Sequence, residues 1–595
     1  MKSRSVNEKI GTLRDLMKKN DLSAYIIPTS DPHNSEYVPE RYNTRKWLSG
    51  FTGSAGTVVV TMDESGLWTD GRYYIQAEKE LEGSETELFK VGKEEVPSYK
   101  EWLGDNIESR EKIGFNGKLF SIKAVRDLEE ELEEGVELVT ELDLIDEIWE
   151  DRPEIPQNEI FLHDVKFAGK SRKEKIEDIR EEMDDKDGDI NIITKLDEVA
   201  WTFNIRGEDV EYNPVAVAYG LISKDKSHLF IDENKIKDSV EDELKKDGIV
   251  LHGYEEIKDF VENIDESNKV ILDHKNTNKW LFDSIPEGCK KIEENPSITQ
   301  NLKAIRNETE IEHYKNCQVR DGVAMVKFLH WLEESVGDEN ITEITTENKV
   351  EQFRAKDDRF VGPSFDPIAA YKEHAAMMHY SADEESDYQL EDEDFYLLDS
   401  GGQYFDGTTD ITRTVALGDI SEKQKRDFTL VLKGHINLAT AKFLKGARGA
   451  NLDVLARKPM WDNHIDYKCG TGHGVGYFLN VHEGPQNISN NVHDVKLKEG
   501  MIVTNEPGIY RQDEWGIRTE NTLLVVKDDE TEFGEFLKFE IISLCPIDLD
   551  AVDTSLLTDE EREWLNDYHE EVYEKLSPHL EEELDDWLKE KTREI

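Results

Sequence analysis

Short apolar runs bounded by glycine and charged residues alternate along the chain with longer stretches of helical period. TVVVT at 57–61 and VAVAYGLI at 215–222 read as buried strands, each followed by a strand that ends in an acid, LWTD and LFID. FYLLD at 395–399, the alternating DITRTVAL from Asp410 and LLVV at 523–526 repeat the strand signal. Helical period marks the amphipathic start MKSRSVNEKIGTLRDLMKKN and a long stretch from Leu302 to Glu334. It returns after Thr558, which makes a capping box with Glu561 ahead of Trp564, Tyr568, Val572 and Leu576 at intervals of four. That last apolar face packs either on its own domain or on a second subunit. Strands interleaved with helices predict an α/β chain, with α+β character where strands pair in hairpins.

The pattern also repeats. WLSGFTG at 47–53 and WTFNIRG at 201–207 share a tryptophan and a glycine at an offset of 154 (201 minus 47), each ahead of one of the early strand runs. A period so far above the ~20–50 residues of solenoids predicts two similar domains. With the proline-bearing DRPEIP at 151–156 as linker, the chain divides into 1–153, 154–300 and 301–595, the last carrying a C-terminal helical extension.

Length and composition bound this picture: 595 residues, 37% of them hydrophobic, suffice for several packed cores. Charge changes it more. Against 73 Lys and Arg stand 132 Asp and Glu, a net charge of -59, spread through segments such as EEELDDWLKEK rather than gathered in a tail. Such a surface argues against nucleic acid and against anionic membrane as partners. It suits either a cytoplasm of high salt, as in a halophile, or general solubility with some attraction for cationic substrates. The four cysteines form no disulfide pattern, the N-terminal helix lacks an apolar signal core, and no run approaches the ~18 apolar residues of a membrane span. A cytoplasmic location is expected.

Candidate chemistry lies in the last third. Asp399, Asp410, Glu506 and Glu520 sit in apolar or glycine-rich runs, where an unpaired carboxylate costs several kcal/mol unless a cation neutralises it. Glycines 401, 402 and 407 between Asp399 and Asp410 predict a hairpin that brings both acids to one face; a second strand–turn–strand places Glu506 near the end of one strand and Glu520 on the next. With His473 in GTGHGVG, these make a hard, oxygen-rich set suited to two divalent ions. The glycines of GTGHGVG recur at every second residue, which fits a closely approached strand rather than a dinucleotide fingerprint, and no HExxH, CxxC, GxSxG or Walker motif occurs.

LLDSGGQYFDGTTDITRT, GTGHGVGYFLNVHEGP and NEPGIY with GIRTEN resemble the metal-binding segments of the pita-bread metallopeptidases, and among them the long three-domain Xaa-Pro aminopeptidases. LSAYIIPTSDPHNSEY, GFTGSAGT, LDEVAWTFNIRGEDVEYNP and LTDEEREWLNDYH extend the resemblance over nearly the whole chain. It implies two creatinase-type domains before a pita-bread catalytic domain, two divalent ions per subunit (Mn2+ foremost), a homodimer, and peptide substrates with proline second. Asp399 then chelates one metal, Asp410 and Glu520 bridge both, His473 and Glu506 hold the other, and a bridging hydroxide is the nucleophile. Glu506 matches the general base, and His379 and His482 match positions lining the substrate pocket. One departure stands out: Cys469 occupies the place, four residues before His473, where close relatives carry a histidine. A thiol forms weak hydrogen bonds and has an unperturbed pKa of about 8.5. A prolidase-like dipeptidase and a non-catalytic pita-bread binding protein are the alternatives to an aminopeptidase.

Overall fold

The computed structural model describes residues 4–337 and 340–595 as two compact units. The first runs to Thr299, apart from segments 163–170 and 212–214; those segments and the rest of the chain form the second.

In the first unit, helix α1 (Val6–Lys19) is capped by Ser5 and Glu8, each side chain bonding the other's backbone N–H, and buries Ile10, Leu13 and Met17. A six-stranded sheet follows: β1 (Ala24–Pro28), β2 (Thr57–Thr61), β3 (Ser65–Thr69), β4 (Glu87–Lys90), β5 (Lys112–Gly114) and β6 (Glu137–Val139), in spatial order 4-3-2-1-5-6. The second sheet has β7 (Ile190–Ile193), β8 (Ala218–Ser223), β9 (Ser227–Ile231), β10 (Ile249–His252), β11 (Lys269–Asp273) and β12 (Lys290–Glu294), in order 10-9-8-7-11-12. Shifting those numbers by six reproduces the first order. The senses agree as well: two antiparallel pairings lead from the first strand to the third, and the outer three pairings are parallel. The tryptophan–glycine repeat thus reports a true duplication of topology.

The second unit begins with a correction to the sequence reading. The helical stretch from Leu302 breaks, because Asn307 caps a new helix, α2 (Glu308–Ser335), and exchanges side-chain bonds with Glu310. The break frees Arg306 to point elsewhere. Strands β13 (Ile368–Tyr371), β14 (Phe395–Ser400) and β15 (Ile411–Ala416) pair antiparallel with β14 in the middle. A four-stranded sheet orders β16 (Lys442–Leu444), β19 (Gly534–Ile541), β18 (Asn521–Thr531) and β17 (Ile502–Asn505). Helices α3 (Glu422–Ala439), α4 (Gly449–Trp461), α5 (Asp559–Leu576) and α6 (Glu582–Lys591) cover them. Leu452 and Ala456 of α4 pack with Val503, Leu523 and Val525 in one cluster; Phe428 and Leu432 of α3 meet Leu565, Tyr568, Val572 and Leu576 of α5 in another. The apolar face of α5 is therefore spent on its own unit, which resolves the alternative left open by its pattern.

Candidate metal centre

The two acid-bearing hairpins are built alike. In the first, β14 pairs with β15 so that Asp399 faces Thr412 and Ser400 faces Ile411, leaving Asp410 one residue before the strand. The glycine-rich stretch between them is more than a turn: Gly402–Tyr404 and Gly407–Thr408 form an inner hairpin of their own. In the second, β17 and β18 pair from Ile502↔Leu524 to Asn505↔Asn521, and an inner hairpin, Gly508–Arg511 with Trp515–Arg518, rises beyond. Glu506 and Glu520 sit at the junction; Glu520 precedes its strand rather than lying within it.

Backbone bonds lock the hairpins together. The N–H of Glu520 donates to Thr412 O (3.1 Å) and the N–H of Glu506 to Thr471 O (2.8 Å). Arg413, fully buried, donates to Glu520 O (2.6 Å), Asn521 Oδ1, Cys545 O, Pro546 O and the Tyr568 hydroxyl. His473 reaches the site because Gly472 lets its strand lie against β17: a Cβ at Gly472 would fall 2.0 Å from Thr504 O. The His473 N–H donates to Thr504 Oγ1 (3.0 Å), and that hydroxyl donates to Glu506 Oε1 (3.1 Å).

The imidazole is oriented for coordination. Its Nδ1 lies 2.9 Å from Gly474 O, which can only accept, so Nδ1 carries the proton and Nε2 is left with a lone pair. Nε2 stands 3.3 Å from Asp410 Oδ2 and 3.5 Å from Glu506 Oε1. Donor atoms of Asp399, Asp410 and Glu520 lie within 4.8 Å of one another, as do those of His473, Glu506 and Glu520, and those of Asp410, His473 and His482. Glu520 is common to the first two groups.

Four carboxylates at this spacing carry an electrostatic cost. Burial pushes Asp399 up to about 6 despite the pull of Arg518, with Asp410 and Glu506 adding repulsion. Burial, then Asp410, Asp399 and Glu506, hold Glu520 well above the ordinary carboxylate range. Arg518 Nη2 bonds Asp399 Oδ2 (2.5 Å), yet Asp399 Oδ1 is buried with no hydrogen-bond partner. Glu520 receives the Thr412 hydroxyl (2.7 Å). One guanidinium cannot offset this excess. An orphaned carboxylate oxygen, a free imidazole lone pair and hard oxygen donors in overlapping groups fit two divalent cations.

The structure brings together all five expected ligands and His482, whose ring meets that of His473 edge-on at 4.3 Å between centroids. His379 does not join these ligand groups; it lies exposed, just beyond the short helix Lys372–Ala376. Cys469 is half-buried, and burial pushes its thiol up to about 11, Glu506 adding to the shift.

Sequence reasoning gave Arg518 no part in the site, whereas it serves Asp399 and donates also to Tyr510. It also missed a buried clamp. Glu483, next to His482, meets Lys303 Nζ (2.9 Å) and Arg306 Nη2 (3.0 Å), and Arg306 donates too to Val475 O (2.7 Å), two residues past His473. No local signal marks these partners, which come from a different part of the chain.

Comparison with known proteins gives the family of the chain. Residues 312–527 match the metallopeptidase family M24 and 535–595 its C-terminal region, while 9–148 and 151–310 each match a Creatinase/Prolidase N-terminal domain. A probable Xaa-Pro aminopeptidase P of Coprinopsis cinerea is 39% identical over 99% of this chain and 98% of its own. Aminopeptidase P2 of Arabidopsis thaliana is 40% identical over 99% and 89%. The crystal structure of the X-prolyl aminopeptidase from Caenorhabditis elegans, described as a cytosolic enzyme with a di-nuclear active site, superposes with a TM-score of 0.94 at 35% identity over 100% of both chains. A Xaa-Pro dipeptidase from Bacillus anthracis, 26% identical with a TM-score of 0.51, covers 64% of this chain and 99% of its own.

Proposed function

This chain belongs to metallopeptidase family M24, among the Xaa-Pro aminopeptidases P, and on that premise we propose that it cleaves the bond between an N-terminal residue and a penultimate proline. Two creatinase-type domains precede its pita-bread catalytic domain. The observation that carries the reading is the pair of overlapping donor groups joined at Glu520.

Asp399, Asp410 and Glu520 would hold one divalent ion, and His473, Glu506 and Glu520 the other, with Asp410 beside both; Mn2+ suits the donors best. When bound, such a pair makes water acidic enough to attack a carbonyl at neutral pH and offsets charge on the tetrahedral carbon. The chain's own groups do the rest. Glu506 is the most accessible of the four acids, its side chain 22% exposed against 5% for Asp410, and Thr504 steadies one of its oxygens. It takes the proton from the attacking water and passes it to the proline nitrogen. His482, held edge-on to His473, faces the substrate carbonyl, and His379 lines the outer pocket. Thr412 and Arg518 keep Glu520 and Asp399 aimed while the site is loaded.

The full-length relatives favour an aminopeptidase over the dipeptidase alternative, whose match spans only 64% of the chain. We assign it to the cytoplasm; among the described residues no helix is long and apolar enough to cross a membrane. Its acidic surface is that of a protein working in high salt. We infer a homodimer, as the family resemblance implies, and light scattering on the purified protein tests it. Metal-dependent release of the first residue from an Xaa-Pro-Pro tripeptide tests the main reading; cleavage of Xaa-Pro dipeptide alone turns it to a dipeptidase, and cleavage of neither overturns it.

A further inference from the structure

Behind β15, away from the donor cluster, lies a crevice of about 290 Å³. Leu329, Leu332 and Val336 of α2 and its cap form one wall, Val415 and Leu417 at the end of β15 another, and Ile547 and Trp587 close it. The crevice is open to solvent along one side, where its apolar lining gives way to charged residues. It is large enough for an aromatic ring with a short chain.

Its rim is predominantly acidic. Glu333, Asp392, Asp548 and Asp550 stand there against a single lining cation, Lys591. Lys591 is taken up by Glu333 (2.8 Å), which also receives the Trp587 Nε1–H (3.0 Å). Asp550 pairs with Arg593 (3.0 Å) through one oxygen and stands 4.0 Å from Lys591 by the other. Asp548 accepts backbone N–H groups, from Ala416 (2.8 Å) and Asp550 (3.0 Å), and burial raises its carboxyl above the usual range. A bound cation would relieve that cost. An anion is repelled here, a neutral molecule gains only apolar contact, and an amine on an apolar body gains both.

We propose that this crevice is a binding site, separate from the metal centre, for a small primary amine carried on an aromatic or branched apolar body. The carboxylates of Asp548, Asp550 and Asp392 receive the ammonium, and the leucine and valine walls receive the body.

Titration calorimetry on the metal-loaded full-length protein, with 2-phenylethylamine, 2-phenylethanol and phenylacetate as probes, tests it. The amine should bind once per chain, at least about tenfold tighter than the alcohol, and the acid not at all. Val336→Trp fills the crevice from a partly exposed position remote from the donor cluster. It should abolish amine binding and leave metal content and peptide hydrolysis unchanged. Asp392→Asn with Asp550→Asn, both exposed positions, should weaken the amine at least fivefold (roughly 1 kcal/mol) and leave the alcohol unaffected. No binding by any probe, equal binding of amine and alcohol, or amine binding that survives both sets of substitutions would overturn the assignment. The last outcome would place the amine elsewhere, for instance on the acids of the metal centre.

Discussion

Replacing Glu483 by glutamine removes an anion that Lys303 and Arg306 share. All three side chains are at most 1% exposed, so neither cation can turn to water when its partner is lost. Stranding a buried charge in this way costs about 3–5 kcal/mol, since the desolvation penalty stays while the attraction goes. At roughly 2 °C per kcal/mol for a unit of this size, the melting temperature of the metal-loaded protein should fall by roughly 6–10 °C. Activity should fall with it. Arg306 ties Val475, next but one to His473, to Glu483, next to His482, and a displacement of about 1 Å in a reacting group can cost on the order of a hundredfold. We therefore expect kcat on an Xaa-Pro-Pro peptide to drop at least tenfold, with metal content retained. Adding Lys303→Met should restore part of the melting temperature, because one stranded cation is then gone. Differential scanning calorimetry and steady-state hydrolysis read both effects. A variant that melts within about 2 °C of the parent and turns over normally would refute the clamp.

Three further outcomes concern a buried histidine, Cys469 and the surface charge. Burial, with Arg413 and Arg593 adding repulsion, lowers His569 to about 3, and its Nε2 accepts the Ile547 N–H (3.0 Å). The folded protein thus keeps it neutral while the unfolded chain protonates near 6.5. Its stabilisation is full above that pH and is lost progressively from about 6.5 toward 3, about 2 kcal/mol by pH 5. His569→Gln, which keeps an acceptor without titrating, should flatten the fall of melting temperature over that range; an unchanged slope would contradict the assignment. Cys469→His should raise turnover, because a thiol held near 11 stays protonated and bonds weakly, and lower turnover would count against a relay role at that position. Raising KCl from low to molar concentration should raise the melting temperature by several degrees as screening shortens from ~10 Å toward ~3 Å around a chain of charge -59; a flat or falling curve would sink the high-salt reading.

Much of the metal centre was legible because its acids sit where the pattern forbids them. A carboxylate at the end of FYLLD, or ahead of NTLLVV, is out of place without a cation, and glycine spacing told which acids would meet. The duplicated sheets were visible in Trp47 and Trp201 for a similar reason: large residues mark the same point of a repeated topology. What stayed hidden depends on convergence from afar. Arg518 lies near Glu520 in sequence, but the strand pairing that sets Asp399 opposite Thr412 decides which carboxylate it meets. The break at Asn307 was masked by a helical period continuing on both sides of it, and the role of Arg306 followed from that break. The inner hairpins were read as plain turns because glycine and aspartate mark both.

The second of those inner hairpins also separates two things that a single turn would couple. The register between Glu506 and Glu520 is set below it, where Asn505 faces Asn521, while the tip at 512–514 stands exposed. Residues can be added or removed at that tip without sliding one acid past the other. The fold can thus lengthen or reshape the wall above the donor cluster over evolutionary time while the spacing of Glu506 and Glu520 stays constant. The hairpin of Asp399 and Asp410 lacks that freedom, because Asp406 at its inner tip is fully buried and held by Arg320 and Arg359; latitude to vary and constancy of spacing are divided between storeys only in the hairpin of Glu506 and Glu520.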